Sequence, residues 1–245
     1  MGELIAVLSG KGGTGKTTLC AAVATALAEK GESVLCIDCD VGLRNLDIAL
    51  GLSQVQMLSF ADVYSGQYSL KDAAKHPMYP NLVFLTAPIT SSSEDVDEAA
   101  FSALLTQARQ EFQYIFLDAP AGVERGFNLA AKYAERIVLV TGADPAAIRD
   151  AERAGQLLEL MGKTNVRLIV NRLQKKMVST MKLTVDDIMD QAGLPLLGIV
   201  PEDPDVVMSA VTQKPLLQYS RKSAAAKACR RIAKRIQGYS TPIDL

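Results

Sequence analysis

"LIAVLSGKGGTGKTTLCAAVATALAEKG", Leu4 to Gly31, decides the fold. Its first apolar run, 4–8, reads as a short buried strand, a glycine-rich turn follows, and an Ala-rich helix runs on until Gly31. Inside the turn, Gly10-Lys11-Gly12-Gly13-Thr14-Gly15-Lys16-Thr17 matches G-x-x-x-x-G-K-[ST], a phosphate loop when a strand enters it and a helix leaves it. Glycines let successive backbone N–H groups face one anion without a Cβ clash, and the helix N-terminus adds its own donors. In such a loop Lys16 serves the β- and γ-phosphates of a nucleotide and the Thr17 hydroxyl serves Mg²⁺. The pattern asks for one lysine and this loop holds two, so the motif leaves Lys11 without a task.

Outward from the loop, Val/Ile/Leu-rich runs alternate with longer amphipathic stretches. The runs are 4–8, 33–37, 81–87, 114–118, 136–141, 166–171 and 195–200. Each is nearly continuous in apolar character, which implies parallel strands covered by helices on both faces. The expected fold is therefore α/β, a doubly wound, mostly parallel sheet of the P-loop NTPase kind. One of the crossover helices starts at an N-cap-like Asp144 ahead of Pro145 and stops at Gly162. No linker-like tract interrupts the chain, so residues 1–245 are expected to form one unit, with 220–245 as a basic helix and short tail.

A P-loop needs a second acid for its metal, delivered at the end of a neighbouring strand. "YIFLDAPAG" supplies Asp118, placed to hold Mg²⁺ through water. "IDCDVGLRNLD" adds Asp38 and Asp40, two apart on an extended chain and so pointing the same way, toward the ligand edge of such a sheet. A carboxylate there orients an attacking water or a metal-bound water, or else caps a turn. Arg44 and Asp47 read as scaffold or switch residues, and His76, in "KHPMYP", as a solvated loop histidine.

The composition excludes other classes. Four cysteines are too few and too irregular for a disulfide framework, and alternation sends Cys36 and Cys39 of "CIDC" to opposite sheet faces. The start carries Glu3 and an apolar run too short for a signal-peptide core, and no stretch approaches the ~18 apolar residues of a membrane span. A cytoplasmic protein is expected. Net charge is −1, yet seven of the 26 Lys/Arg and one of the 27 Asp/Glu lie from Ser220 onward, a basic tail on an acidic body.

"KGGTGKTT", "DCDVGLRNLDIALG", "LDAPAG" and "GIVPEDPDV", in this order and spacing, resemble the MinD/ParA family of P-loop ATPases, from Leu4 to about Gln237. "DVGLRNLD" is more similar to the family's septum-determining MinD branch than to its partition branch. The resemblance implies ATP and Mg²⁺ as ligands, with Lys11, Gly12, Gly13, Thr14, Gly15, Lys16, Thr17 and Thr18 around the phosphates. It implies that Lys11 crosses a homodimer interface to ATP held by the opposite subunit. It also implies that Asp40 is the hydrolysis-linked acid of switch I and that Asp118 is the Walker B acid of switch II. Asn171, Arg172, Pro201, Glu202 and Asp203 match positions around the adenine, although Asn171 also suits a turn. The helix from Asp144 to Leu158 aligns with the surface that receives a MinE-type activator; its Arg149, Asp150, Glu152 and Arg153 equally suit a solvated face.

The implied function is an ATP-dependent dimerising switch with slow Mg²⁺-dependent hydrolysis, acting in division-site placement. Its rivals are a partition, flagellum-number or pilus-positioning ATPase of the same family, and a nucleotide-gated scaffold with negligible turnover. Family members of the MinD branch end in a membrane-docking helix after a linker, and "GYSTPIDL" resembles that linker without the helix, leaving peripheral membrane contact open. "KSAAAKACRRIAKRI" has only Ala225, Cys229, Ile232 and Ile236 on its apolar side, which suits core packing with a solvated basic face better than lipid insertion. DNA contact is the remaining use for such a stripe.

Overall fold

The computed structural model describes residues 1–41, 43–89, 96–174 and 184–243. Its strands are β1 (Glu3–Leu8), β2 (Val34–Asp38), β3 (Ala74–His76), β4 (Tyr79–Leu85), β5 (Tyr114–Asp118), β6 (Arg136–Thr141), β7 (Val166–Leu173) and β8 (Leu196–Pro201). The helices among the described residues are α1 (Lys16–Ala28), α2 (Leu46–Ala49), α3 (Phe60–Tyr64), α4 (Glu98–Glu111), α5 (Arg125–Tyr133), α6 (Pro145–Leu160), α7 (Val185–Ala192), α8 (Pro204–Val211), α9 (Leu216–Tyr219) and α10 (Ala224–Ile236). The strands form one sheet in the order β3-β4-β2-β5-β1-β6-β7-β8, parallel except for β3.

Alternation along each strand divides the core in two. Leu4, Ala6 and Leu8 of β1 face the layer of α3 to α7, while Ile5 and Val7 face α1, α2, α9 and α10. The doubly wound sheet expected from the apolar runs is therefore present. Cys39 lies in the first layer and Cys36 in the second, so the C-x-x-C places its sulfurs on opposite faces. Asp144 caps α6 by accepting a hydrogen bond from Ala147 N at 3.0 Å, with Pro145 in the first helical turn, and Gly162 turns the chain out at φ 73°.

Two readings need correction. The chain has an eighth strand, β3, too short to carry a periodic signal. His76 ends it, is buried rather than solvated, and bridges two backbone groups. Its Nε2–H donates to the Leu50 carbonyl at 2.9 Å and its Nδ1 accepts from Met78 N at 3.1 Å. Burial holds its pKa below the ordinary histidine value, so the ring is neutral.

α10 packs on α1 and β8 through Ala225, Cys229, Ile232 and Ile236, all 3% exposed or less, while Lys227 and Lys234 face outward. Its apolar stripe is consumed in the core. Among the described residues, no helix is long and apolar enough to cross a membrane.

Candidate nucleotide-binding site

Every parallel strand ends at the same edge of the sheet, and the loop between β1 and α1 occupies the middle of that edge. After β1 the chain crosses toward β2 and β4; after β5 it crosses the other way, toward β6, β7 and β8. The loop thus sits where the winding reverses. Gly15 takes the N-cap position of α1 at φ 85° with no side-chain cap, so the first N–H groups of the helix stay available to an anion. Gly12 and Gly13 are exposed beside them. Two glycines are demanded sterically: a Cβ on Gly10 would lie 2.4 Å from the Asp150 carbonyl oxygen of α6, and one on Gly15 2.3 Å from Asn171 Nδ2.

Lys16 reaches from the first turn of α1 to the end of β5, where its Nζ lies 2.8 Å from Asp118 Oδ1. The two side chains are 7% and 1% exposed, so this is a buried ion pair. Burial works against the Lys16 ammonium, but the Asp118 carboxylate more than restores it and holds its pKa above the usual lysine range. The Thr17 hydroxyl joins the pair, 3.4 Å from Lys16 Nζ and near enough to Asp118 to favour its ionised form. Pairing of β1 with β5 sets Val7 against Asp118, which is how a loop residue and an acid 102 positions later come together.

Asp38 and Asp40 both lie at this edge, but their side chains do different things, contrary to the common aim expected for them. Asp38 is 1% exposed, and its carboxylate accepts from Asp40 N at 2.9 Å and Leu46 N at 3.1 Å. Burial and the nearby charge of Asp118 push its pKa up to about 7. Asp40 is half-buried, and among the described residues its carboxylate makes no hydrogen bond; burial raises its pKa and Lys16 pulls it down. Asp118 and Asp40 thus share a single ammonium, with Asp38 buried close to Asp118, an imbalance that suits a divalent cation. No group of three or more His, Cys, Asp or Glu among the described residues has the arrangement of a self-contained metal site, so the cation would share its ligands with phosphate and water.

Lys11 is half-exposed on the outer part of the loop. Its Nζ lies 3.2 Å from Asp144 Oδ1, the same oxygen that caps α6. The sequence reading recognised Asp144 as a cap and missed this pairing, since nothing local links positions 133 apart. Arg149, Glu152 and Arg153 of α6 are exposed, and Asp150 is half-buried against Gly10.

At the end of β7, Asn171 is buried and donates from Nδ2 to the Thr14 carbonyl at 2.7 Å, which ties it to the phosphate loop itself. The Thr14 hydroxyl is buried and has no partner among the described residues. Arg172 is exposed and adopts φ 55°. Pro201 and Glu202 follow at the end of β8, with Glu202 accepting from Gln174. Asp203 has both carboxylate oxygens committed to helix starts, one to Asp205 N of α8 at 3.0 Å and one to Ala225 N of α10 at 2.9 Å. Its side chain is therefore scaffold. Thr18 is half-buried in the first turn of α1.

A strand-loop-helix cradle for phosphate, a buried Lys–Asp pair beside a threonine hydroxyl, and a doubly wound sheet define a P-loop nucleotide-binding protein. Residues 5–216 match the model of the CobQ/CobB/MinD/ParA nucleotide binding domain, and the chain belongs to that family. It is 38% identical over 244 residues to the septum site-determining protein MinD of Synechocystis, covering 99% of this chain and 92% of that protein. Among solved structures it superposes with a TM-score of 0.91 and 37% identity on a chain of the MinC:MinD cell division protein complex of Aquifex aeolicus, covering 99% and 98% of the two chains. A third similar protein, the Pyrococcus horikoshii septum site-determining protein MinD complexed with Mg-ADP, matches with a TM-score of 0.83, 28% identity and 96% of each chain.

Proposed function

We propose that this chain is a MinD-type switch: it binds Mg²⁺-ATP, dimerises around it, hydrolyses it slowly and acts in placing the division septum. The observation that carries the reading is the division of labour between the two loop lysines. Lys16 is buried on its own protomer's Asp118, whereas Lys11 is half-exposed at the rim on a partly solvated carboxylate that it can leave at small cost. A second cation beside a phosphate site already served by Lys16 is redundant unless another triphosphate needs it.

The surface around the site supports self-association. Leu43, Ile48, Val123, Val207, Met208 and Val211 are exposed apolar side chains, all in segments that leave the carboxyl ends of β2, β5 and β8. Two copies meeting at this edge would cover them together with the nucleotide.

In this reading Gly12, Gly13, Gly15 and Thr18 offer backbone N–H groups to the phosphates, and Asn171 and Arg172 flank the base with the loop at Pro201 and Glu202. Thr17 and Asp118 would hold Mg²⁺, which would supply positive charge to the phosphates. Asp40, whose carboxylate has no hydrogen bond among the described residues, orients the attacking water. The exposed face of α6 receives an activating or division-site partner of the MinE or MinC type, and the chain works at the inner face of the cell membrane.

Size measurement by light scattering with Mg²⁺-ATP tests the reading. The parent should become a dimer, Lys11→Ala should bind ATP and stay single, and Lys16→Ala should not bind ATP. A Lys11→Ala variant that dimerises like the parent removes the interface role. Tight, steeply salt-dependent DNA binding by the ATP form would move the protein to the partition branch.

A further inference from the structure

We infer that Asp38 is a positioning residue for hydrolysis, a two-point clamp that sets Asp40 over the nucleotide by holding the amides of Asp40 and Leu46 on one carboxylate. The inference rests on the ATPase reading above. Asp40's carboxylate has no hydrogen bond among the described residues, so its backbone position and the pull of the Lys16 charge determine where it points. Among the described residues that backbone is tethered by a side chain at Asp40 N, on Asp38 Oδ1 at 2.9 Å, and by the main chain at the Asp40 carbonyl, which accepts from Arg44 N at 3.3 Å.

The other oxygen of the same carboxylate accepts from Leu46 N at 3.1 Å. Leu46 begins α2 and is fully buried in the layer that holds α1, so this end of the segment is anchored to the helix leaving the phosphate loop. One carboxylate therefore joins Asp40 to Leu46, the first residue of α2. Two further bonds hold the flanks: Cys39 N donates to the Asp118 carbonyl at 2.9 Å, and Arg44 Nε donates to Thr86 Oγ1 at 2.9 Å. Neither bond touches Asp40 directly.

Asp38 itself does not reach outward. It is 1% exposed with both oxygens committed, so it orients no water and acts through Asp40. The distinction matters because displacing a reacting group by about 1 Å costs on the order of 100-fold in rate without any loss of substrate contacts.

Three measurements on the full chain decide it: ATP affinity by calorimetry, phosphate release under single turnover, and hydrogen exchange at the amides of residues 40 and 46. Asp38→Ala should bind Mg²⁺-ATP within about twofold of the parent, lose roughly 10- to 100-fold in turnover, and exchange both amides at least about tenfold faster. Asp38→Asn keeps the volume and one acceptor; it should free one of the two amides and lose less turnover, and it serves where Asp38→Ala does not fold. Parental turnover in either variant, a loss confined to ATP affinity, or unchanged exchange at both amides overturns the clamp. A parent that releases no phosphate while Asp38→Ala still exchanges faster defeats the ATPase reading, and with it the role in hydrolysis, and supports only the backbone clamp.

Discussion

Replacing Lys16 by methionine tests more than nucleotide binding. The ammonium is the counter-charge for Asp118, which is 1% exposed and has Asp38 and Asp40 as further negative neighbours. Removing one partner of a buried pair strands the other and costs about 3–5 kcal/mol. Unfolding entropy near 2.1 cal/mol/K per residue gives roughly 0.5 kcal/mol/K for a chain of 245 residues, so Tm should fall by about 6–10 °C without nucleotide.

The pH dependence of that loss has a definite sign. In Lys16→Met the stranded Asp118 has a folded pKa raised further above its unfolded value by burial, so the variant gains stability as protons bind. The gap between parent and variant should narrow as the pH falls from 8 to about 5. Adding Asp118→Asn removes the stranded charge and should recover more than half of the lost Tm at pH 8. Calorimetric scans of the three proteins at three pH values measure all of this. A single variant melting within about 2 °C of the parent at pH 8, or a gap that widens in acid, refutes the claim that the pair holds the resting site together.

Thr14→Val removes a buried hydroxyl with no partner among the described residues while leaving the Thr14 carbonyl to Asn171, so stability should rise by about 1 kcal/mol, seen as a Tm gain of roughly 2 °C; a fall in Tm would mean that the hydroxyl is bonded. His76 is neutral in the fold with a pKa below 6.5, so the unfolded chain binds a proton that the folded chain refuses. Its contribution is present above the unfolded pKa and lost as pH falls through the folded one, and His76→Gln should flatten the decline of Tm between pH 7 and 5.5. An equally steep decline in the variant would assign the effect elsewhere.

Much of the molecule was legible from local pattern. The strand-loop-helix around Lys16 needs only an apolar run, a set of glycines and a helix former in succession, all within 4–31. The seven longer strands and the cap of α6 are equally local. β3 was not legible because three residues carry no period, and its place beside β4 depends on antiparallel pairing at the sheet edge. His76 followed β3 into burial, where its ring found the Leu50 carbonyl.

The sequence by itself determined which groups this protein owns: a phosphate loop with two lysines, an acid at the end of an apolar strand, and a paired-acid segment after another. Only the tertiary structure decided how they are divided. Winding the sheet put Asp118 under Lys16, Asp144 beside Lys11 and Asn171 against Thr14, partners 102, 133 and 157 positions apart. It also turned Asp38 inward and left the Asp40 carboxylate without a hydrogen bond among the described residues. The reason is that residue type and spacing act over a turn or a strand, whereas partner choice at a sheet edge follows from strand order, which no short stretch encodes.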